Sequence, residues 1–578
     1  MKPIYKLLTI AVFILGGLCS LNLNAQGNDA GSIQGNFQID TQYYNEDSLI
    51  GAIQPEEQQA MNAYGYLTYS KGGFQVGGRY EFYGPSLLGY PAGSAWDGSG
   101  IGYRFASYQN DDMEITVGNF YEQFGSGMIF RAYEERFLGV DNAMDGVRIR
   151  YNPYKGVYLK GVYGRQRLAF DSKIISGSGI LRGGDLEVNF NELIESMKSK
   201  KTKVTFGSSF ISRYQGFLSS DFELPKNVAA YGARLTLRKS KVSLSGEYAY
   251  KINDPNGSNN NIFKPGQGLT GTAVFSQKGF SVLAKAQIID NMSFSSSRYP
   301  SSPFDLNVNF VPPVMKQHTY NLPATLYPYA TAINGEIGLS GEVIYKFKKT
   351  KNAVSGIDKL LGGKYGTKVT IGYAQANTLD TTHFSSDDAT EVEQFEADPS
   401  RQGYTTKLFS LAGRNMIKDL NIEIDKKINK KWKFKYTYFN LVFDKSLIQK
   451  GVFSDKEPVI FADIHVADVS YKINKKHNLR VELQNLTSKQ DQGDWGTALI
   501  EYTVSPHWFL TVMDQYNYGN DVEEQKIHYP IVSAGFLKKS TRLEVRYGKQ
   551  RAGIFCVGGV CRVVPASNGL AFSISSSF

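Results

Sequence analysis

The last ten residues constrain this chain more than any other stretch. In Gly569-Leu570-Ala571-Phe572-Ser573-Ile574-Ser575-Ser576-Ser577-Phe578, the apolar Leu570, Phe572, Ile574 and Phe578 fall on one parity. Small or polar residues fill the other. Successive side chains of a strand point to opposite faces, so this segment suits a wall that separates lipid from a watery lumen. A soluble sheet with a half-buried last strand is the competing fold, and the rest of the chain decides between them.

The same alternation recurs. Leu479, Val481 and Leu483 oppose Arg480, Glu482 and Gln484. Leu543, Val545 and Tyr547 oppose Arg542, Glu544 and Arg546. Val147, Ile149 and Tyr151 oppose Arg148 and Arg150, and Trp432, Phe434, Tyr436 and Tyr438 oppose Lys433, Lys435 and Thr437. Period two with charge on one face marks a strand against water. So many such segments with no intervening helical domain argue against a small solvated sandwich. Beyond residue 25 no run of eighteen or more apolar residues occurs, which excludes a transmembrane helix. Mean hydropathy is −0.31, as expected when only alternate residues face lipid. The 37 Tyr and 35 Phe, against 4 Trp, suit interfacial aromatic girdles.

Connections come in two sizes. Short ones include Lys71-Gly72-Gly73, Asn152-Pro153-Tyr154-Lys155-Gly156, Arg238-Lys239-Ser240-Lys241, Ser276-Gln277-Lys278-Gly279, Asn429-Lys430-Lys431, Asn474-Lys475-Lys476, Ser505-Pro506-His507 and Lys538-Lys539-Ser540. Longer polar stretches lie near 84–100, 122–143, 212–227, 252–268, 291–333, 378–403, 444–461 and 550–568. Short turns alternating with long loops are the pattern of a membrane barrel. Strands of nine to eleven residues on each side of every connection give an all-β, single transmembrane antiparallel barrel of about 24 strands, within roughly 20 to 26. The connection from Lys348 to Thr367 is expected to hold a short helix over 355–361.

The front of the chain reads as an export signal, residues 1–25, ahead of a barrel over 26–578. Lys2 and Lys6 precede an apolar run from Leu7 to Leu18, and Ala25 supplies the small residue before the cut. Cys19 raises the alternative of a lipoprotein, but Leu18 stands where a lipobox needs a small residue. Cleavage leaves 62 Lys and Arg against 54 Asp and Glu, a formal +8. Both signs are dispersed, unlike the basic stripe of a nucleic-acid binder.

Two cysteines remain, Cys556 and Cys561, around Val557-Gly558-Gly559-Val560. A two-residue turn at Gly558-Gly559 puts Cys556 opposite Cys561 at a non-hydrogen-bonded site, close enough for a disulfide in an oxidising compartment. The alternatives are two free thiols or a metal site. With two thiols and no nearby histidine, no structural zinc is expected.

The stretch from Gly118 to Arg136 leaves a strand, turns at Gly125 and Gly127, and gathers Arg131, Glu134, Glu135 and Arg136. It continues through Asp141 and Asp145 to Arg148 and Arg150. Opposed charges on an inward loop make the constriction of many channels, and these eight residues are the candidate constriction. Met128, Ile129, Phe130, Phe137 and Leu138 point to a packed loop; the bland alternative is a surface loop with solvated ion pairs. Prolines 300, 303, 312, 313, 323 and 328 stiffen the 291–333 loop as a lid or docking surface. The acidic loop with Asp387, Asp388, Glu391, Glu393, Glu396 and Asp398 lacks EF-hand spacing. No metal or cofactor is expected. The six histidines are scattered. His465 shares a strand face with Asp463, read as a polar lumen face, and no nucleophile accompanies the pair. No HExxH or Gly-rich phosphate loop occurs, so an enzyme is not expected.

Several motifs together resemble an uncharacterised family of Bacteroidota outer-membrane proteins, a domain of unknown function. They are Gly35-Asn36-Phe37-Gln38 with Gln42-Tyr43-Tyr44, Phe130 to Arg136, Asp141-Asn142, and the segment from Cys556 to Gly569. The C-terminal strand, through Leu570, Phe572, Ile574 and Phe578, resembles the signal that the barrel-assembly machinery reads. The Gly-rich loop is loosely similar to alginate-export-type porins. The resemblance implies a Gram-negative outer-membrane barrel and no particular substrate. TonB-dependent transporters place a plug domain before the barrel, whereas Gly31 to Tyr44 already reads as the first strand. The expected function is a porin-like passive or gated channel for small polar solutes. The alternative is a non-conducting scaffold for surface lipoproteins or a secretion system. Expected partners are outer-membrane lipid and lipopolysaccharide, the assembly machinery, and no nucleic acid.

Overall fold

The segments that alternate most cleanly form strands of one closed wall. The structure is a computed structural model. It describes residues 31–578 except 91–95, 217–223, 300–306, 351–355, 357–360, 384–402, 451–456 and 558–559. The backbone alone is described at 137, 383, 450, 555–557 and 560–562. The export signal, the acidic loop, two of the prolines and most of the 355–361 helix therefore lie outside the described residues.

Among the described residues, twenty-four antiparallel strands make the wall, each paired with its neighbour in the order of the chain. It closes where the last, Ser567–Ser577, pairs with the first, Ser32–Asn45, setting Ile574 opposite Ile39. Closure removes the free edges that a sheet would otherwise expose. Among the described residues no helix is long and apolar enough to cross a membrane.

Connections are mostly short at one end of the barrel and longer at the other. One end of the barrel carries turns such as 72–73, 155–156, 240–241, 278–279 and 539–540. The other carries loops, the longest being 291–334 and 378–414. Loops 46–58, 172–179, 488–494 and 517–530 also belong to the loop end. Two of these are so short that length alone does not separate them from turns. At the turn end, 190–201 holds two four-residue helices, Phe190–Leu193 and Glu195–Lys198. The Asn191 amide binds Met197 O and Thr202 O and so ties this connection to the following strand.

Alternation then sets what each face meets. Leu483, Val545 and Tyr547 face outward and are exposed, while Glu482 and Gln484 are buried on the lumen side. Inside, toward the loop end, the lumen is packed. One apolar cluster joins Phe120, Met144, Leu181, Ile211 and Val228 of the wall to Phe124, Met128, Ile129 and Phe130, and to Val308 and Val311. A second joins Phe439, Phe443, Ile460, Ile464 and Trp495 to Val314, Tyr320, Leu322, Leu326 and Tyr327. The described parts of the proline-rich loop, 291–299 and 307–334, contribute to both clusters, so the chain from Val308 to Tyr329 crosses the lumen from one wall to the other. Over that stretch its apolar side chains are packed inside the barrel, not exposed as in the lid or docking surface expected of it.

Candidate functional site

The inward element is the 121–143 loop between strands Met113–Phe120 and Met144–Tyr154. Its tip is a small hairpin, Glu122–Phe124 against Phe130–Ala132. Gly125 and Gly127 turn it at φ +52° and +99°, where a side chain would add strain. Phe124, Met128, Ile129 and Phe130 are fully buried. Glycines in the wall receive them: a Cβ at Gly268 would fall 2.7 Å from Met128 Sδ, and one at Gly232 would fall 3.6 Å from Ile129 Cδ1. Backbone bonds knit this loop to the crossing one, Arg131 N to Val308 O at 2.8 Å and Phe310 N to Gly127 O at 2.9 Å.

The base of the loop is held by charge. Arg79 donates to Glu81 at 2.7 Å, to Glu134 at 2.8 Å and to Asp141 at 2.5 Å. Arg167 bridges Glu81 at 2.6 Å and Asp141 at 2.9 Å, and its guanidinium lies 4.4 Å from the Trp96 ring. Arg136 binds Glu134 at 2.8 Å and Gln38 at 3.2 Å. Glu81 and Arg167 are fully buried, so each charge depends on the others for what water would have supplied. Burial alone would push the Asp141 carboxyl up. The Arg167 and Arg79 guanidiniums, with the Tyr121 hydroxyl at 2.9 Å, outweigh it and hold Asp141 below the usual carboxylate range.

Below the loop, toward the turn end, the wall is charged and open. A cavity of about 620 Å³ lies there, with Glu122, Gln123 and Gly125 of the loop in its lining. Arg150 at 2.8 Å and Lys160 at 3.0 Å both clamp Glu122. Burial opposes the charged form of Glu122, but these two cations prevail and its carboxyl is lowered. Across the cavity Arg234 pairs with Asp185 at 2.6 Å and Glu187 at 3.0 Å. The far wall carries a similar ladder, with Glu423 between Lys368 at 3.0 Å and Lys435 at 2.8 Å. The lumen is therefore layered, packed toward the loops and charged toward the turns.

The eight residues of the predicted constriction do not form one ring. Glu134, Arg136 and Asp141 join the buried network. Arg148 pairs with Glu114, and Arg150 with Glu114 and Glu122. Asp145 does not belong to the lumen: it lies in the outward column of Val147, Ile149 and Tyr151 and meets the exposed Arg104 at 3.3 Å. The Arg131 guanidinium packs on the rings of Tyr133 and Phe310, at 4.2 and 4.1 Å. Glu135 is opposite Val140 in a two-residue ladder. Sequence reasoning missed Arg79, Glu81 and Arg167. The first two stand two apart in an alternating strand, which was the available signal. The Asp463 and His465 pair is corrected: both face outward, because Ile460, Ala462, Ile464 and Val466 occupy the lumen face of that strand.

The cysteine hairpin has the expected register. Gly553–Val557 pairs with Val560–Val564, with Cys556 opposite Cys561; the sulfur positions lie outside the described residues. This hairpin touches both the Arg136–Leu138 turn and the Asn321–Leu326 helix, and beside it Arg551 donates to Thr325 O at 3.1 Å. Among the described residues no group of three or more His, Cys, Asp or Glu could hold a metal.

The chain belongs to DUF6029, a family of unknown function, whose sequence profile matches residues 1–578. No curated protein matches it. Among solved structures it is similar to the siderophore receptor PirA of Pseudomonas aeruginosa, with 10% identity, TM-score 0.38, and coverage of 95% of this chain and 81% of that one. It is also similar to the ferric enterobactin receptor mutant R480A of the same species, in complex with enterobactin, with 10% identity, TM-score 0.42 and coverage of 95% and 82%. The outer membrane protein OpdK of that species aligns with 10% identity, TM-score 0.34 and coverage of 82% and 98%.

Proposed function

We propose that this member of DUF6029 is an outer-membrane barrel of a Gram-negative bacterium, of the Bacteroidota by resemblance. In this reading it is exported by residues 1–25, inserted by the barrel-assembly machinery, and surrounded by outer-membrane lipid and lipopolysaccharide. It is a porin-like, gated passage for small polar solutes, not an enzyme, and the 122–143 loop is its gate. One observation carries this reading. The loop that packs the lumen is held at its base by a buried set of ion pairs, above a charged cavity toward the turn end. Arg79, Glu81, Asp141 and Arg167 act as a latch, and the charged ladders below give polar solutes a wall to follow.

A second reading has its own support. The two apolar clusters span the lumen from wall to wall, as in a non-conducting scaffold for a surface lipoprotein or secretion component. Single-channel recording of the refolded protein in a planar bilayer separates the two. The gate predicts rare, small steps in the wild type and steps several-fold larger after deletion of residues 125–138. Silence in both proteins replaces the passage with the scaffold. Steady steps unchanged by the deletion leave a passage without this gate.

A further inference from the structure

The outer face of the wall carries a continuous polar row over five adjacent strands, from Trp432–Asp444 to Trp508–Tyr516; elsewhere Arg104, Asp145, Arg165 and Arg182 also face outward. On the first of these strands the outward column reads Trp432, Phe434, Tyr436, Tyr438, Asn440, Val442. On its neighbour, Asp463 and His465 interrupt Phe461 above and Ala467 and Val469 below. Tyr438 donates to Asp463 at 2.5 Å, Asn440 donates to the same oxygen at 2.9 Å, and Tyr436 binds His465 Nδ1 at 2.7 Å. In register beside His465 come Asn485, Gly496 and Tyr516. Tyr518 donates to Asn485 Oδ1 at 2.9 Å.

Depth makes this row informative. From Trp432 to Val442 the strand climbs about 25 Å along the barrel axis, at ~3.3 Å per residue and a tilt near 40°, which matches the apolar band of such barrels. Asn440, Asp463 and His465 fall inside that band, with apolar residues on both sides. Lipid chains offer them no hydrogen bonds, and ionisable groups at this depth usually meet protein. Among the described residues, Asp463 Oδ2, His465 Nε2 and the Asn485 amide nitrogen make no hydrogen bond. Gly496 and Ala498 keep the centre low, since a Cβ at Gly496 would meet nothing closer than 3.9 Å.

We infer that this sector is the interface of a homodimer, two copies of this chain packed wall to wall about a two-fold axis. The patch is complementary to itself: it offers an acceptor in Asp463 and donors in His465 and Asn485, and a two-fold axis sets each against its counterpart. Five strands ~4.8 Å apart, each running ~33 Å within the band, cover about 800 Å² per copy, or about 1,600 Å² in all. That lies within the range of stable protein interfaces.

The test is a photo-crosslinking amino acid in place of Asn485, in the full chain in its native outer membrane. The same replacement of Tyr248, an exposed outward residue on the strand Val242–Lys251, is the control. The interface predicts a 485 adduct at twice the protomer mass that contains peptides of this chain alone, and none from 248. Asp463→Lys should lower that adduct at least tenfold, whereas exchanging the pair, Asp463→His with His465→Asp, should retain it. The homodimer is overturned by no adduct from 485, by equal dimer adducts from both positions, or by an adduct only with lipopolysaccharide or another protein. Heat-shifted gel mobility confirms that each variant is a folded barrel before it is scored.

Discussion

Arg167 shows how much one side chain holds. Its guanidinium bridges Glu81 and Asp141 with no exposure to water, so Arg167→Met leaves two buried carboxylates short of a partner. Removing one member of a buried pair costs about 3–5 kcal/mol, enough to raise the open population of the loop at least about 100-fold. Trypsin cleavage after Arg131 or Arg136 reads that population when opening is fast relative to cutting, and its rate should rise accordingly. The pH response follows from Asp141. Its carboxyl is held below the ordinary range, so its contribution is fully present above that range, near 3.9. It is lost only as pH falls through the lower value of the folded state. The fluorescence of Trp96, which packs on Arg167, should therefore stay level from neutral pH to about 4 and change below. In Asp141→Asn the latch is already broken, so the acid step should disappear. A step between pH 5 and 7 would assign the latch to some other group.

At the scale of single elements, alternation revealed the strands but not which face each presents. In 478–486 the charged parity faces the lumen, as a watery interior requires. In Val459–Lys472 the rule inverts, because the lumen face there meets the buried crossing loop instead of water, and Ile460, Ile464 and Val466 are apolar for that reason. No single strand carries that information; it depends on a loop more than a hundred residues away. Arg79 and Arg167 escaped notice for the same cause, since their meaning lies in a loop folded back between their strands. The wall's glycines record where loops press. Gly268→Val should drive the Met128 side chain from its seat and cost about 1–3 kcal/mol by overpacking, seen as faster trypsin cleavage of the loop. Gly232→Ala, whose Cβ would meet Ile129 at ordinary contact distance, should leave that rate unchanged. Equal effects from both would show that the loop does not rest on this part of the wall.

For the whole molecule, the division into a turn end and a loop end sets direction. Most connections at the turn end have two to a few residues, 190–201 and 347–366 being longer, and barrels insert with the short turns toward the periplasm and the long loops outside. Here the asymmetry also orders the lumen, since the packed layer lies toward the loops and the charged cavity toward the turns. A gate at the 122–143 loop would then close the passage from the outer side and leave the cavity in contact with the periplasm. Two exposed positions test this orientation: Ser48, in the 46–58 loop, and Lys278, in the 278–279 turn. On intact cells a membrane-impermeant maleimide should label Ser48→Cys and spare Lys278→Cys, and lysis should make both reactive. The unsubstituted protein serves as the blank for Cys556 and Cys561. Labelling of Lys278→Cys on intact cells, with Ser48→Cys protected, would turn the barrel over. The charged cavity would then open to the medium, and the loop would guard the periplasmic side.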